Sequence, residues 1–252
     1  MRGNAAIGAV IPALDEERAI GRVLDALPDW VDEVVVVDNG SRDATAAIAR
    51  GRGARVVAEP ARGYGAACLA GIAALDGAEV VVFLDADFSD HAEEMDRLVD
   101  PIVAGEADLV IGSRVLGHSE PGALTAQQRI GNRVACALMR AFWGARYTDL
   151  GPFRAIRRDA LARLAMRDRD FGWTVEMQIE AARLGLRVRE APVSYRRRVG
   201  VSKISGTLSG TLRAGFKIVY VIARAALAPR RAMPKAGAGQ AASRSRDERL
   251  SM

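Results

Sequence analysis

Cysteine, aromatic residues and long apolar runs are scarce in this sequence. It contains two cysteines among 252 residues, and 5% of its residues are aromatic. Cys68 and Cys136 lack both a CxxC spacing and a histidine partner, so we expect buried, reduced thiols and a cytoplasmic location. No run of about 20 apolar residues occurs, which predicts that no helix spans a membrane. The apolar segment 5–13 lacks a cleavage pattern, which predicts a first strand and not a signal peptide.

The positive charge of the chain is concentrated near its C-terminal end. The formal net charge is +5, but residues 229–252 hold six basic and two acidic side chains, so the remainder is nearly neutral. Basic residues are not interleaved with aromatic ones, which argues against a nucleic-acid-binding protein. The Pro, Gly, Ala, Ser and Arg content of 229–252 predicts a disordered basic tail.

The first half of the chain alternates between short β-branched runs and helical patterns. The predicted strands are 7–13, 33–38, 54–58, 79–84 and 107–112, and the predicted helices are 16–27, 43–50, 64–75 and 91–104. Several strands are apolar at consecutive positions, as parallel strands covered by helices on both faces are. The pattern predicts an α/β fold with a Rossmann-like sheet.

The rhythm changes after residue 113. The predicted elements are then helices at about 126–142, 173–184 and 207–228 and strands at 153–156 and 187–195. These strands need not be parallel to the first five. A basic loop at 196–206 precedes the last helix.

The residues that end the predicted parallel strands are polar. Ligands of open parallel sheets bind beyond the carboxyl ends of the strands, so these positions are the first to consider for a site. They are Pro12–Glu17, Asp38–Ser41, Asp85–Asp87 and Gly112–Arg114. We therefore predict a cleft lined by these four segments.

Asp85 and Asp87 form the sharpest local signal. Two carboxylates one residue apart, just past a buried strand, can converge on one hard divalent cation. Such a cation could bridge the diphosphate of a nucleotide substrate and stabilise the departing phosphate. The competing interpretation is a helix N-cap at Ser89 or Asp90 with solvated acids nearby. We favour the metal because the pair follows an apolar strand.

Two further loops have a structural and a functional interpretation. Asp38 and Asn39 begin a turn that could simply cap a helix or could accept hydrogen bonds from ribose or base. Gly63 and Gly65 permit close backbone approach at a helix N-terminus, where an anion could bind. The latter segment does not match the dinucleotide fingerprint and is weak by itself.

Eight ordered blocks span most of residues 7–206. They are PALDEE at 12–17, VVDNGSRD at 36–43, RGYGAA at 62–67, FLDADFSD at 83–90, IGSR at 111–114, DLGPFRAIRR at 149–158, WTVEM at 173–177 and APVSYRRRVGVSKISG at 191–206. Together they resemble the family 2 glycosyltransferases of GT-A fold. The resemblance is closest to the branch of dolichyl- and polyprenyl-phosphate mannose or glucose synthases.

The resemblance implies a domain plan. Residues 1–206 would form the GT-A domain, with a nucleotide-binding half at about 5–114 and an acceptor half at about 115–206. An amphipathic helix at 207–228 and the tail at 229–252 would follow.

The resemblance also implies residue roles. Asp85, Asp87 and Ser89 would hold Mg²⁺ or Mn²⁺ on the diphosphate, and the catalytic residues would be Asp87, Arg114, Arg198 and Lys203. The nucleotide-sugar contacts would come from Pro12, Leu14, Glu16, Asp38, Asn39, Asp85, Ala86, Asp87 and Arg114. In the loop at 196–206, the alignment does not distinguish Arg198 from Arg197. The acceptor candidates are Arg129, Arg133, Glu176 and Arg197.

The chain departs from the branch in three ways. It has Asn39 where the branch usually has a second Asp, so base or ribose contacts are expected to differ. Leu14 stands where Tyr is common. The transmembrane extensions of the family are missing from the sequence.

The implied reaction is an inverting transfer of a hexose from a nucleoside diphosphate. The leading donors are GDP-mannose and UDP-glucose, and the leading acceptor is polyprenyl or dolichyl phosphate. A phosphate acceptor is already anionic at neutral pH and needs no general base. It would be held by charge-assisted hydrogen bonds from Arg114, Arg129, Arg133, Arg196, Arg197, Arg198 and Lys203. A hydroxyl acceptor would require a base, for which Glu176 and Asp149 are the candidates.

The last predicted helix is amphipathic. Arg213, Lys217 and Arg224 fall within about 40° of one another, and the opposite side carries apolar residues. These are Leu208, Leu212, Phe216, Val219 and Ile222. The helix could bind peripherally to an anionic membrane, or it could pack on the domain with its basic face in water.

Three alternatives remain open at this point. A phosphatase of the haloacid dehalogenase type also carries DxD after a strand, but its motif normally begins the domain. A non-catalytic sugar-nucleotide binding module would not need intact Asp85, Asp87 and Arg114. Within the family, the acceptor could be soluble, such as a phosphorylated small acid or a glycan hydroxyl. The sequence does not predict the oligomeric state.

Overall fold

The computed structural model of the protein describes residues 1–200 and 208–227. Its strands are β1 (Ile7–Ala13), β2 (Glu33–Asp38), β3 (Arg55–Ala58), β4 (Val80–Phe83), β5 (Leu109–Ser113), β6 (Arg154–Arg157) and β7 (Val188–Pro192). Its helices are α1 (Ile20–Asp25), α2 (Thr45–Gly51), α3 (Tyr64–Ala74), α4 (Asp96–Val103), α5 (Ala126–Trp143), α6 (Arg158–Leu164), α7 (Trp173–Arg183) and α8 (Leu208–Leu227). The predicted tail at 229–252 and Lys203 lie outside the described residues.

The strands form one seven-stranded sheet in the order β3-β2-β1-β4-β6-β5-β7. Strands β1 to β4 pair in parallel, and β5 pairs in parallel with β7. Strand β6 lies between β4 and β5 and is antiparallel to both. Six strands therefore run in one direction, and the α/β fold with a mainly parallel sheet is confirmed.

Helices cover both faces of the sheet because strand residues point alternately to either side. On one face, Ile7 and Ile11 of β1 pack with α1, α2 and α4. On the other face, Val10 of β1 packs with α3, α6 and α7. A third cluster joins α5, α7 and α8 through Met139, Ile179 and other apolar side chains. Helix α8 is thus packed on the domain.

Three predicted elements are shorter than expected. Helix α4 begins at Asp96, not at 91, because Ala92–Glu94 form a separate 3-10 turn. Helix α1 begins at Ile20, not at 16, because the preceding residues form a turn in which the Ala19 N–H donates to the Glu16 carbonyl at 3.0 Å. Strand β7 ends at Pro192, not at 195, because Tyr195 turns away and donates its N–H to the His118 carbonyl at 2.8 Å.

Helix α6 was absent from the sequence prediction. Its seven residues follow β6 directly, and Ala160, Leu161 and Leu164 are buried. Within the described residues, no helix is both long and apolar enough to cross a membrane.

Candidate active site

The four predicted segments meet at one edge of the sheet. The last residue of β1, Ala13, is in register with Asp38 at the end of β2. Strand β4 pairs with β1 on its other side and leads directly into the segment from Asp85 to Asp90, which we call the acidic turn. The carboxyl ends of parallel strands lie on the same edge, so the predicted cleft is assembled there.

The acidic turn is held together by its own side chains. One oxygen of the buried Asp87 carboxylate accepts hydrogen bonds from the Ser89 N–H at 2.9 Å and the Ser89 hydroxyl at 2.5 Å. The Asp85 N–H donates to Asp90 at 3.1 Å. Ser89 is fully buried and orients Asp87. The competing interpretation, a helix N-cap at Ser89 or Asp90, is wrong, because both side chains bind within the turn and the next helices begin after His91 and Met95.

The acidic turn carries more negative charge than its surroundings neutralise. Burial and the carboxylates of Asp87 and Asp90 raise the pKa of Asp85 well above its ordinary value. Burial, with the nearby Asp87, raises the pKa of Asp90 to about 7. One oxygen of Asp90 is buried without a hydrogen-bond partner. Clustered, under-neutralised carboxylates of this kind are stabilised by a cation.

The donor set fits a hard divalent cation that substrate oxygens help to coordinate. Asp85 and Asp87 supply oxygen ligands, as Mg²⁺ and Mn²⁺ prefer. Within residues 1–200 and 208–227, no three His, Cys, Asp or Glu side chains converge as a closed metal site. Asp85 and Asp87 are therefore the residues of the turn that could hold such a cation.

The segment from Tyr195 to Gly200, which we call the β7 loop, closes on the acidic turn. Arg198 forms an ion pair with the second oxygen of Asp87. The Val199 N–H donates to the Asp87 carbonyl at 2.9 Å. Arg197 instead donates to Glu120 and to the Pro121 carbonyl. Of the two residues that the alignment left open, Arg198 is the one that contacts the acidic turn.

Phe88 and Arg196 fasten the β7 loop to the acidic turn, whereas the sequence analysis gave Phe88 no role and assigned Arg196 to the acceptor phosphate. Phe88 has a φ of 64°, which is unusual for a bulky residue and turns the chain between Asp87 and Ser89. The Arg196 guanidinium lies 3.7 Å from the centre of the Phe88 ring. The Arg196 N–H also donates to the Ser89 carbonyl at 3.0 Å. The arginine-rich run at 196–198 was the only sequence signal.

Arg114 is bound to Asp149 by a bidentate ion pair. Its Nε and Nη2 lie 2.7 and 2.8 Å from the two carboxylate oxygens, and its backbone N–H donates to the same carboxylate. Asp149 is 1% exposed. Although burial lowers the pKa of Arg114, Asp149 raises it above its ordinary value. The guanidinium also lies 5.0 Å from the centre of the Tyr195 ring, at the start of the β7 loop.

The buried Arg154 lies behind this pair. Its guanidinium donates to the carbonyls of Leu150, Gly151 and Thr174, and burial lowers its pKa to about 10. It therefore fixes the turn that follows Asp149. The sequence analysis placed Arg154 in a strand and in the block DLGPFRAIRR at 149–158 but gave it no role.

The loops that follow β1 and β2 are bound to each other. The Glu16 N–H donates to the Thr45 hydroxyl at 2.7 Å, and the Asp15 N–H donates to Ser41 at 3.0 Å. Asp38 accepts the Ser41 N–H at 2.9 Å, which forms the predicted turn. The half-buried Pro12 and Leu14 lie on the β1 side of this pair. These loops form one wall of the cleft.

Asn39 has a structural role. Its amide donates to the carbonyls of Glu59 and Ala61, both at 2.9 Å, and its oxygen accepts the Gly63 N–H at 2.9 Å. Asn39 is 6% exposed. An aspartate could not donate to the two carbonyls, which explains in physical terms why this chain has the amide here.

Gly63 and Gly65 approach the backbone of the protein itself. A Cβ atom at either position would lie 2.0 Å from the carbonyl oxygen of Arg169 or Asp168, respectively. The Ala66 N–H donates to Arg169 at 2.9 Å. The predicted close approach is present, but a carbonyl occupies the helix N-terminus where we had considered an anion.

The acceptor candidates are spread over two helices. Glu176 accepts the N–H groups of Arg167 and Asp168 at 3.0 and 2.7 Å and so holds a loop. Arg129 and Arg133 are exposed on α5, where neither forms an ion pair within the described residues. Between them, Asn132 donates to the Thr148 carbonyl and accepts the Leu150 N–H, both at 2.8 Å, so α5 is joined to the turn that carries Asp149.

Comparison with known proteins agrees with this arrangement. Residues 9–165 match the family model described as Glycosyl transferase family 2. The chain belongs to that family. The family 2 membership confirms the predicted resemblance and an enzyme that transfers hexoses, and it contradicts the phosphatase alternative.

This family 2 glycosyltransferase has similar relatives over most of its length. It is 40% identical over 215 residues to an uncharacterized glycosyltransferase of Mycobacterium tuberculosis, with 84% of this chain and 95% of the relative covered. It is 35% identical over 219 residues to a dolichyl-phosphate hexose transferase of Haloferax volcanii, with 85% and 93% covered. The latter name agrees with the predicted polyprenyl-phosphate branch.

A solved structure shares the fold. It is glucosyl-3-phosphoglycerate synthase from Mycobacterium tuberculosis in complex with Mn²⁺, UDP-glucose and phosphoglyceric acid. The TM-score is 0.74 at 27% identity, with 90% of this chain and 82% of that chain covered. The family 2 enzyme therefore has the predicted GT-A fold.

Proposed function

We propose that this family 2 enzyme transfers a hexose, with inversion and with the help of a divalent metal, from a nucleoside diphosphate to polyprenyl phosphate. The observation that carries the proposal is the under-neutralised acidic turn closed by Arg198 beside the Arg114–Asp149 pair. Mg²⁺ or Mn²⁺, when bound, would neutralise charge on the diphosphate as it departs.

The nucleotide would lie along the wall formed by the loops after β1 and β2. Pro12, Leu14 and Glu16 would flank base and ribose, and Asp38 would accept their hydrogen bonds. Asn39 would act indirectly, because its three hydrogen bonds hold the neighbouring loop. Ala86 lies between the two metal-binding aspartates, where its backbone would face the sugar nucleotide.

The diphosphate and the acceptor phosphate would be held by cations of the chain. Asp85 and Asp87 would bind the metal, with Ser89 orienting Asp87. Arg114 would direct its remaining N–H groups at phosphate or sugar, since Asp149 engages Nε and Nη2. Arg198 is close enough to exchange Asp87 for phosphate oxygens. Lys203, Arg129, Arg133 and Arg197 are further candidates for the acceptor phosphate.

The environment of the two candidate bases favours a phosphate acceptor. Asp149 is engaged by Arg114 and the Leu150 N–H, and Glu176 by two backbone N–H groups. Both oxygens of Asp149 already accept hydrogen bonds, and Glu176 holds a loop, so neither carboxylate is placed to take a proton from an acceptor hydroxyl. A phosphate, with a second pKa near 6, attacks as an anion without one.

A soluble acceptor is the second candidate. The structure that shares the fold contains phosphoglyceric acid, which is itself a phosphorylated small acid. A cationic site built for a lipid phosphate would serve such a phosphate as well. Acceptance of the lipid depends on attachment to a membrane surface, which we propose to be peripheral and on the cytoplasmic side.

The deciding experiment is transfer by the purified protein from a panel of GDP- and UDP-sugars. Mg²⁺ or Mn²⁺ is compared with chelator, and polyprenyl phosphate is compared with phosphoglyceric acid. We expect metal-dependent transfer to the lipid phosphate, which also identifies the donor. Transfer to phosphoglyceric acid alone would contradict the lipid acceptor and establish the second candidate. Phosphate release without transfer would contradict both.

A further inference from the structure

Helices α5 and α8 expose apolar side chains on their outer sides. Helix α5 presents Ile130, Val134 and Phe142, which are 61%, 46% and 52% exposed. Helix α8 presents Phe216 and Leu227, which are 76% and 88% exposed. Of the ten large apolar residues that are exposed in the described part of the chain, seven lie on these two helices, so the apolar surface is concentrated there. We call it the apolar face.

The side chains of the apolar face are not part of the hydrophobic core. Both helices already bury a separate set of side chains against α7. In α5 these are Ala135, Cys136 and Met139, and in α8 they are Val221 and Ile222. Ile130 and Val134 point away from them on the helix surface. Exposed apolar patches of this kind in a folded protein mark an interaction surface.

The charges of the two helices are of one sign. Neither α5 nor α8 contains an aspartate or glutamate, whereas each contains three basic residues. Arg129, Arg133 and Arg140 are exposed on α5 and have no ion pair within residues 1–200 and 208–227. The whole segment 191–246 is free of acidic residues. The apolar face is therefore bordered by positive charge.

Two of the three basic residues predicted to form a stripe on α8 have different environments in the structure. Lys217 forms an ion pair at 3.1 Å with the buried Asp168, and Arg224 lies 5.9 Å from the ring centre of Tyr220. The side chains of Arg213, Leu208 and Leu212 lie outside the described residues. Phe216 and Val219 point outward, whereas Ile222 is buried. The outer side of α8 is more apolar than the sequence predicted.

We propose that the apolar face docks on an anionic lipid bilayer, with Ile130, Val134, Phe142 and Phe216 entering the lipid boundary and the α5 arginines meeting the headgroups. This inference rests on the proposed function and specifies its membrane contact. Apolar side chains flanked by arginine are the composition that binds such a surface. Asn132, on the opposite side of α5, joins this helix to the turn carrying Asp149, so a docked α5 would remain bound to the Arg114 site.

A second copy of the chain is a weaker fit to the same face. Two copies related by a two-fold axis would bring like positive charges together without an acidic partner on either helix. A bilayer containing anionic lipid provides the opposite charge.

The test is co-flotation of the full-length protein with phosphatidylcholine vesicles, with and without about 30% phosphatidylglycerol. We expect binding to the anionic vesicles that falls as salt is raised from about 0.1 to about 0.5 M. The double variant Ile130→Glu/Val134→Glu should bind at least about tenfold more weakly. The control Ala47→Glu/Ala162→Glu, with the same charge change at exposed helical positions, should bind like the unsubstituted protein.

Two results would overturn the proposal. One is no flotation of the unsubstituted protein, or equal flotation of the Ile130→Glu/Val134→Glu variant. The other is a dimer in sedimentation velocity that this variant converts to a monomer, which would assign the face to a second copy. Transfer to a short, water-soluble polyprenyl phosphate separates the docking proposal from the proposed function. That rate should be unchanged in the variant, and its absence in the unsubstituted protein would contradict the proposed function while flotation still decides docking.

Discussion

The acidic turn and the Arg114–Asp149 pair are two buried, charged regions at the same edge of the sheet. They differ in how far the protein compensates their charge. Asp149 accepts three hydrogen bonds from Arg114 and one from Leu150, so its charge is compensated by the protein. In the acidic turn, Arg198 forms an ion pair with Asp87, while burial and the neighbouring carboxylates raise the pKa of Asp85 well above its ordinary value. The difference separates a region whose charge the protein compensates from a region for which we propose an external cation.

The largest expected effect comes from removing a ligand of that external cation. Asp87→Asn should lower kcat/KM by at least about 100-fold, because charge on the departing diphosphate would be less well stabilised. Steady-state kinetics and Mn²⁺ titration of the same variant test this. Asp76→Asn, at a position with an 83% exposed side chain, is the control. Full metal-dependent turnover by Asp87→Asn would refute the assignment.

Breaking the Arg114–Asp149 pair should lower the stability of the fold. Arg114→Met should lower the free energy of unfolding by about 3–5 kcal/mol, because Asp149 would remain buried without its cation. The double variant Arg114→Met/Asp149→Asn should recover part of that loss. Urea unfolding of the single and double variants measures the coupling. Equal stability of the two would show that the charges are independent of each other.

The two regions should also differ in pH dependence. The raised pKa values of Asp85 and Asp90 mean that the folded state binds protons more tightly than the unfolded state. Stability without metal should therefore fall as pH rises from about 4 through about 7, by at most about 1.4 kcal/mol for each unit of pKa shift. Mn²⁺ should restore it, and Asp90→Asn should flatten the profile. Thermal melts over this pH range would refute the idea if they showed the opposite slope.

Asn39 offers a smaller test on the nucleotide side. Asn39→Asp should lower the free energy of unfolding by about 1–3 kcal/mol, because a carboxylate cannot donate to the Glu59 and Ala61 carbonyls. The exposed Asn4→Asp is the matched control. Thermal unfolding measures both. A fully stable Asn39→Asp variant would instead indicate that the loop rearranges to accept aspartate.

Much of the fold could be predicted because its signals are local. The apolar runs of β1, β2 and β4 appear at the predicted positions, since buried parallel strands leave a continuous hydrophobic signature. Helix α6 was missed because seven residues provide barely two turns of periodicity. Helix α1 was predicted too long because residues 16–19 form a turn before the helix, and their sequence continues the helical pattern.

The candidate site, like the fold, could be predicted only where its signals are local in sequence. The aspartates of the acidic turn could be located because they follow a strand, and strand ends meet at a known edge. Which arginine reaches Asp87 could not be predicted, because the β7 loop lies more than 100 residues away in sequence. The compensation of Asp149 by Arg114 depends on a separation of 35 residues and was likewise not visible.

The position of β6 has a consequence for synthesis of the chain. Strands β1 to β4 can pair once Phe83 has emerged from the ribosome, but the free edge of β4 receives its partner only with Arg154–Arg157, some 70 residues later. At about 5–20 residues per second, the nascent chain exposes this apolar edge for about 4–14 s. Unpaired edges of this kind recruit other chains. We therefore expect the yield of folded enzyme to rise with chaperone supply and to fall when translation is slowed. Both effects should exceed that of the enzyme's final stability.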